Sequence, residues 1–274
     1  MIREYRRILL GGAVTEVRRE GDVLVAQDGR KIGVDEAIHL PPVTPSKILC
    51  AHLNYRNRAE ELKTTPPPAP NYFQKPLSCL NSHKGVVVRP RGCRFLNYEG
   101  EIAIVIGRTC RNVAIADALD YVSGYTLAND FALHDFREAD RGAMLRVKGA
   151  DTLGVVGPGL VIGWTPTDQM LRTRVNGKLV QESSITGMLF SMAYLIADLA
   201  RMMTLVPGDL ILSGTPANSR PVEPGDIVTV EADGLGMLES RIAEGESDVS
   251  DECGWPPAES DKVLGVALGQ ALRE

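Results

Sequence analysis

The sequence predicts an α+β fold dominated by a curled, mostly antiparallel sheet. Three observations favour this class: tight hairpin turns are frequent, two Pro-Gly-Asp turns each precede a strand, and the sequence lacks βαβ alternation and helix-scale repeats. The chain has 274 residues, of which 44% are hydrophobic and 24% are charged. This length and composition suffice for a main domain with a small appendage.

A small β-rich N-terminal domain is predicted over residues 1–45. Val23–Ala26 and residues 31–34 flank Asp28-Gly29, which favours a hairpin turn. The proline-rich run 41–45 then indicates a stiff linker. Beyond the linker we expect a main domain over residues 46–245 and an acidic C-terminal tail over residues 246–274.

The main domain begins with a candidate buried strand at residues 47–51 and a short helix at residues 55–63. The run 64–70 must be extended, because proline cannot continue a helix. This helix and proline run form either a lid over a site or a surface loop. The later predicted elements are, in order, a strand at 102–106, a helical turn or two at 114–119, a strand at 121–130, a hairpin of 171–175 and 178–181, the longest helix at 190–203, and strands at 210–213 and 227–230.

The tail changes character from residue 246 onwards. Residues 246–252 are polar and acidic, so we expect them to be loosely structured. Residues 263–272 could form a terminal helix, packed either on the body of the protein or on a neighbouring subunit.

Composition argues against several classes of protein. The net charge is −5 and no basic block is present, so nucleic acid is not an expected partner. The apolar runs are too short to span a membrane, and the N-terminus lacks the apolar stretch of a signal peptide. The five cysteines are widely spaced and odd in number, which is typical of reduced thiols in a cytoplasmic protein.

Three carboxylates form the candidate metal site. Glu99 and Glu101 lie two residues apart at the start of an apolar strand, so both project from one face, about 7 Å apart. Such a pair is costly to bury unless a cation lies between the two groups. Asp130 ends the strand predicted at 121–130 and supplies a third oxygen donor, and an all-oxygen set selects Mg²⁺ or Mn²⁺. The alternatives are a solvated acid pair on an edge strand and a helix-capping Asp130.

Further motifs occur in order between residues 46 and 243. They are Leu53-Asn54-Tyr55, Tyr98-Glu99-Gly100-Glu101, Gly124-Tyr125-Thr126 with Asn129-Asp130, Val206-Pro207-Gly208-Asp209 and Gly214-Thr215-Pro216. This ordered set resembles the fumarylacetoacetate hydrolase family. Arg146-Val147-Lys148 and the run 72–76 are most similar to the branch that degrades homoprotocatechuate. Enzymes of that branch decarboxylate 5-oxopent-3-ene-1,2,5-tricarboxylate and isomerise 2-hydroxyhepta-2,4-diene-1,7-dioate.

The resemblance implies a mixed β-sandwich roll, usually dimeric, that binds one Mg²⁺ or Mn²⁺ ion through Glu99, Glu101 and Asp130. It places Lys148 beside the metal, and Thr215, in the turn that begins at Gly214, where a substrate carboxylate is held. Chemistry supports these roles, because a 2-oxo acid chelates a divalent ion and the ion stabilises an enolate. From the residues alone, Lys148 could equally be a surface lysine and residues 214–216 a simple turn.

Two positions depart from the family pattern. Many family hydrolases carry Asn-Tyr-x-x-His-x-x-Glu near the lid, where His and Glu activate water. Here Tyr55 and Glu61 are retained, whereas Arg58 replaces the histidine. Arginine cannot act as a general base, but it can clamp a second carboxylate. His134 replaces the arginine of the common Ala-Arg-Asp motif, and it either donates to substrate or is structural.

We therefore expect a Mg²⁺- or Mn²⁺-dependent decarboxylase/isomerase of 2-oxo or 2-hydroxy-dienoate di- and tricarboxylates in aromatic catabolism. Arg58 would bind the distal carboxylate of this small 2-oxo acid substrate, Glu61 and Lys148 would move protons, and the enzyme would be a cytoplasmic homodimer. One alternative is a C–C hydrolase of acylpyruvate or fumarylpyruvate, with Glu61 alone or His134 activating water. The other is a non-catalytic binding protein on the same fold.

Overall fold

A long mixed sheet carries most of the chain. The computed structural model describes residues 2–249 and 252–269, which contain 19 strands and five α-helices. The strands are β1 (Arg3–Leu10), β2 (Ala13–Glu20), β3 (Val23–Ala26), β4 (Lys31–Gly33), β5 (Ile38–Leu40), β6 (Ile48–His52), β7 (Asn71–Lys75), β8 (Leu80–Ser82), β9 (Gly85–Arg91), β10 (Leu96–Asn97), β11 (Gly100–Ile106), β12 (Val122–Asp130), β13 (Ala132–Leu133), β14 (Gly154–Ile162), β15 (Met170–Val175), β16 (Lys178–Ser184), β17 (Leu210–Leu212), β18 (Ile227–Ala232) and β19 (Gly236–Asp248).

The helices are short. They are α1 (Arg56–Glu61), α2 (Arg137–Asp140), α3 (Leu145–Lys148), α4 (Met192–Met202) and α5 (Asp261–Leu268), with 3-10 turns at Leu77–Cys79, Ile115–Tyr121, His134–Phe136 and Ile185–Gly187. Within the described part of the chain, no helix has the length and hydropathy needed to traverse a lipid bilayer.

Two principal sheets share a core. The longer sheet runs β4-β3-β2-β1-β14-β12-β11-β17-β6-β7, with β5 added to β1 and β8 added to β14. The second sheet runs β16-β15-β18-β19-β9, and β10 pairs with β13. Most pairs are antiparallel, whereas β8–β14, β6–β17 and β9–β19 are parallel. These mixed sheets with few helices agree with the predicted α+β class.

Strand β11 is buried on both faces, which explains its continuous apolar sequence. Ile102 and Ile104 belong to the main core, together with Val228 and Val230 of the second sheet. The alternate residues Ala103 and Val105 pack in a separate core on the other face. The strand that follows the Glu99–Glu101 motif is therefore fixed in both register and orientation.

Several sequence predictions are confirmed. Antiparallel pairing joins β3 to β4 and β15 to β16, as the two hairpin turns predict. The helix predicted at 190–203 is α4, the longest of the described helices, and Ser191 caps it by accepting a hydrogen bond from Tyr194 N. The segment predicted at 114–119 is a 3-10 helix over Ile115–Tyr121.

The N-terminal strands continue the main sheet. Strand β1 pairs with β14 through the register Tyr5↔Leu160, and Ile8, Val17 and Leu24 form a small core of their own. A domain boundary near residue 45 stays a prediction.

The prediction of a loosely structured tail is wrong for its first residues. Strand β19 continues to Asp248, because it pairs in parallel with β9, where Asp248 lies opposite Arg91. Residues 250 and 251 of the acidic segment lie outside the described residues.

The predicted terminal helix is α5, and it packs on the body of the protein. Val263 and Ala267 are buried against Phe95, and Asn97 Nδ2 donates to the Ala267 carbonyl over 2.8 Å. Residues 270–272 of the predicted helix lie outside the described residues.

Candidate functional site

Strand pairing brings the three predicted metal ligands together. Strands β11 and β12 pair with Glu101 opposite Ala128, and Asp130 N donates to the Glu99 carbonyl over 2.9 Å. Glu99 therefore lies opposite Asp130, and Glu101 is its diagonal neighbour on the same face. One carboxylate oxygen from each of the three residues lies within 4.8 Å of the other two. The predicted cluster is thus present as a geometric unit.

The glycine between the two glutamates is required by the second sheet. Gly100 faces away from the cluster, and a Cβ atom built on it would lie 2.1 Å from Thr173 Oγ1 of β15. Any side chain at this position would push the sheets apart. Alternation of side chains along the strand places the two carboxylates on one face, and the glycine between them lets the opposite face pack closely on β15.

Two buried lysines hold the cluster. Lys148 Nζ lies 2.7 Å from Glu99 Oε2 and 2.9 Å from Asp130 Oδ2, and Lys75 Nζ lies 2.6 Å from Asp130 Oδ1. Burial alone would raise the pKa of Asp130, but the two ammonium groups bring it below its usual value. Burial likewise opposes the charge on Lys148, yet Asp130 and Glu99 raise its pKa. Lys148 is therefore not a surface residue.

Among the described residues, no cationic group lies within hydrogen-bond distance of Glu101. Its Oε2 accepts a hydrogen bond from Gly214 N over 2.6 Å, and only 2% of the residue is exposed. Burial, followed by the charges of Asp130 and Glu99, raises the pKa of Glu101 well above its usual range. Three carboxylates against two ammonium groups leave a negative site built from oxygen donors. This donor set fits a hard divalent cation such as Mg²⁺ or Mn²⁺.

The turn at residues 214–216 is anchored from two sides. Gly214 has φ of +100°, and a Cβ atom there would lie 2.8 Å from Asn54 Cβ. Asn54 Nδ2 donates to the Ser213 carbonyl over 2.8 Å, and Gln181 Nε2 donates to Thr215 Oγ1 over 3.1 Å. Because Thr215 Oγ1 accepts from Gln181, its own hydrogen is available for an acceptor in the cavity.

A cavity lies over the cluster. Seven of the predicted site residues line it: Arg58, Glu99, Glu101, Asp130, His134, Lys148 and Thr215. Tyr55, Glu61 and Gly214 are not among the described residues that line it. Tyr55 is completely buried, and Gly214 contributes its N–H to Glu101. Substrate-binding roles for these two residues stay predictions.

Glu61 is fully engaged by neighbouring groups. Arg58 Nη1 lies 2.5 Å from Glu61 Oε2, Arg220 Nη2 lies 2.6 Å from Oε1, and Asn218 N donates to both oxygens. Burial would raise the pKa of Glu61, but Arg58 and Arg220 bring it below the usual value. Glu61 therefore fastens α1 to the segment after β17 and orients Arg58 towards the cavity.

His134 is buried in the cavity wall without hydrogen-bond partners among the described residues. Burial, reinforced by the positive charge of Arg137 and Lys148, holds its pKa well below the usual range. His134 is therefore a neutral ring, able to donate at one nitrogen and accept at the other.

Sequence reasoning missed four residues of this region. They are His52 and Arg137 in the cavity wall, Lys75 beside Asp130, and Gln181 behind Thr215. The run 72–76 that carries part of the resemblance contains Lys75, but the sequence alone gives no reason to place Lys75 against Asp130. His52 is the last residue of β6, and burial lowers its pKa to about 4.

Known proteins share this architecture. Residues 47–243 match the family described as fumarylacetoacetate (FAA) hydrolase C-terminal. The 4-hydroxyphenylacetate degradation bifunctional isomerase/decarboxylase of Escherichia coli is 39% identical over 224 residues, which cover 80% of this chain and 52% of that protein. The chain thus spans about half the length of that bifunctional relative.

Two solved structures superimpose closely. The 5-carboxymethyl-2-hydroxymuconate delta-isomerase of Mycobacterium smegmatis has a TM-score of 0.82 at 34% identity, covering 89% of this chain and 100% of that one. The 2-hydroxyhepta-2,4-diene-1,7-dioate isomerase of Mycobacterium marinum has a TM-score of 0.81 at 31% identity, with the same coverage. By the extent of the matched sequence and its ordered motifs, this chain belongs to the fumarylacetoacetate (FAA) hydrolase C-terminal family.

Proposed function

We propose that this chain is a Mg²⁺- or Mn²⁺-dependent decarboxylase/isomerase on a mixed β-sandwich roll. Its substrates would be 2-oxo or 2-hydroxy-dienoate di- and tricarboxylates from aromatic catabolism. The observation that carries the proposal is that Arg58 and the carboxylates of Glu99, Glu101 and Asp130 line one cavity. The names of the E. coli and mycobacterial relatives support the same reaction class.

Glu99, Glu101 and Asp130 would hold the ion. When bound, a divalent cation supplies Lewis-acid stabilisation of negative charge on the oxygens of a 2-oxo acid. Thr215 Oγ1 can donate its free hydrogen to a substrate carboxylate, and Lys148 Nζ carries a proton beside the two carboxylates Glu99 and Asp130. Decarboxylation and isomerisation both require that a proton be delivered to a carbon atom of the substrate. Lys148 is our candidate for the proton donor.

Arg58 argues for a substrate with a second carboxylate. It is 5% exposed and lines the cavity, and Glu61 fixes its orientation. A buried guanidinium beside a site for one carboxylate favours a substrate that carries another. The same residue disfavours the hydrolase alternative, because arginine cannot take a proton from water at neutral pH.

Product analysis distinguishes the three functions. The Mn²⁺-loaded protein is incubated with 5-oxopent-3-ene-1,2,5-tricarboxylate, 2-hydroxyhepta-2,4-diene-1,7-dioate and an acylpyruvate, with Glu101→Gln and EDTA-treated protein as controls. We expect release of CO₂ from the first and ketonisation of the second. Pyruvate release from the acylpyruvate alone would establish the hydrolase instead. Ligand binding with no turnover would indicate a binding protein.

The homodimer implied by the resemblance is a separate proposal. Sedimentation velocity on the purified chain tests it, with a dimer as the expected species.

A further inference from the structure

The cavity over the acidic cluster adjoins a second, outer cavity. The two share His52, Phe73, Arg137 and Met144 as lining residues. The outer cavity is further lined by Asn71, Tyr72, Gly142 and Lys262. Because Arg137 lines both cavities, it lies between the acidic cluster and Lys262.

Arg137, in this common wall, has unused donors. In the part of the chain that the structure describes, no carboxylate oxygen lies within 4.0 Å of its guanidinium and no hydrogen bond from its side chain is formed. Arg58 differs, because Glu61 already holds it at 2.5 Å. The charge of Glu99 acts on this guanidinium without bonding to it, so the five donors of Arg137 stay available to a substrate carboxylate.

The second cation comes from the C-terminal helix. Helix α5 lies beyond residues 47–243, which match the family, yet Val266 lines the inner cavity and Lys262 lines the outer one. The helix is held firmly in this position. Ala258 N donates to the Asp135 carbonyl over 2.9 Å, and Ser260 caps the helix by accepting from Val263 N.

The inner cavity contains a further unsatisfied group. His134 is 1% exposed, and neither ring nitrogen has a partner among the described residues. The positive charges of Arg137, Lys148 and Arg58 act on its ring, and all three residues line the same cavity. Cationic groups and free donors therefore line this cavity together with the carboxylates of the cluster.

We infer that Arg137 and Lys262 form a second anion subsite, which binds the carboxylate farthest from the 2-oxo acid end of the substrate. The inference rests on the proposed function, since it takes the 2-oxo acid end to lie at the Glu99–Glu101–Asp130 cluster. A tricarboxylate would then occupy three positions: its 2-oxo acid end lies at the cluster, the nearer of its other two carboxylates at Arg58, and the farthest at the Arg137–Lys262 pair. In a dioate the distal carboxylate, expected from the sequence to bind Arg58, would bind this pair instead. Helix α5 would thereby set the length and charge of the substrate accepted.

The test uses two seven-carbon ligands that differ only at the far end, 2-oxoheptanedioate and 2-oxoheptanoate. Their affinities for the full-length, Mn²⁺-loaded protein are measured by calorimetry for the wild type, Arg137→Met, Lys262→Met and Lys262→Glu. Lys178→Met, an exposed lysine at the β15–β16 hairpin, is the matched control. Lys262 is exposed on α5, so its variants preserve the fold even where Arg137→Met does not.

We expect the wild type to favour the dioate and each lysine or arginine variant to weaken dioate binding about tenfold or more, as for a lost charge-assisted hydrogen bond. Lys262→Glu should have the largest effect, and 2-oxoheptanoate should bind all variants alike. Equal losses for both ligands, or unchanged dioate binding, would overturn the subsite alone. If the loaded wild type binds neither ligand, the proposed function itself fails and the subsite fails with it.

Discussion

Lys75 Nζ lies 2.6 Å from Asp130 Oδ1, and both side chains are almost wholly excluded from water. Lys148 occupies the other oxygen of the same carboxylate at 2.9 Å. Asp130 is therefore held ionised from two sides, whereas Glu101 has one backbone N–H as its partner. The cluster is therefore asymmetric. Two ammonium groups neutralise Asp130, whereas no cationic group among the described residues is bonded to Glu101.

Replacing Lys75 with Met should destabilise the cation-free protein. Removing one member of a buried ion pair leaves a partly uncompensated charge, so we expect a loss of about 3 kcal/mol in the free energy of unfolding. Urea denaturation in EDTA measures this loss, with Lys178→Met as the control for removal of a lysine. Saturating Mn²⁺ should restore part of the difference. If the urea midpoint of the variant in EDTA were unchanged, Lys148 alone would be sufficient to compensate the charge of Asp130.

Glu101→Gln should separate cation binding from folding. We expect Mn²⁺ at 100 times its dissociation constant to stabilise the wild type by about 2.7 kcal/mol and to leave the variant unaffected. In EDTA the variant should be at least as stable as the wild type, because it lacks the buried Glu101 carboxyl group, whose pKa is raised by the cost of burying its charge. Glu60→Gln, which changes an exposed carboxylate on α1, should behave like the wild type.

The two roles considered for Glu61 predict different kinetics. If Glu61 orients Arg58, Glu61→Gln raises KM about tenfold for substrates with a second carboxylate and leaves the pH profile unchanged. If Glu61 moves a proton, kcat falls and one limb of the pH profile disappears. The four hydrogen bonds that its carboxylate accepts from Arg58, Asn218 and Arg220 favour the first outcome. Steady-state kinetics between pH 5 and 9 distinguishes the two, with Glu60→Gln as the control.

Acid should weaken the fold through His39 and His83. Their rings contact edge to face, with 4.7 Å between the ring centroids. His83 Nδ1 accepts a hydrogen bond from Glu239 N, so this nitrogen carries no proton. Burial lowers the pKa of His39 to about 4, and burial together with His39 lowers that of His83 to about 3.

Since both imidazoles ionise near pH 6.5 in the unfolded chain, the folded state binds fewer protons. The stability that His39 and His83 contribute is fully present above about pH 6.5 and is lost as the pH falls towards 4. Each imidazole contributes about 3 kcal/mol, so we expect a decrease of roughly 6 kcal/mol in unfolding free energy across this window. Urea titrations at successive pH values measure it. His83→Gln should flatten the dependence, and an identical slope in that variant would assign the effect to other groups.

The sequence and the family resemblance predicted the acidic cluster with Lys148 and Thr215, but not Lys75, Gln181 or the contribution of α5. The spacing of Glu99 and Glu101 fixes a shared face, because side chains alternate along any strand. Lys75, Gln181 and α5 reach the site only through tertiary packing, which leaves no periodic signal. Strand β14 was missed because Pro158 interrupts its pattern. The structure accommodates this proline where the register against β12 shifts, between Val161 and Gly157, so no ladder hydrogen bond is lost there.

The pairing of β11 with β12 would make the proposed cation affinity a measure of correct folding. Glu99 and Asp130 meet only in the observed alignment of the two strands. A slip of one residue would turn Asp130 to the opposite face and disperse the three carboxylates, although all of them would still be present in the chain. Substitutions far from the cavity that disturb this alignment would therefore abolish the proposed binding while leaving the strand content intact. A metal titration would then detect a folding error that circular dichroism would not.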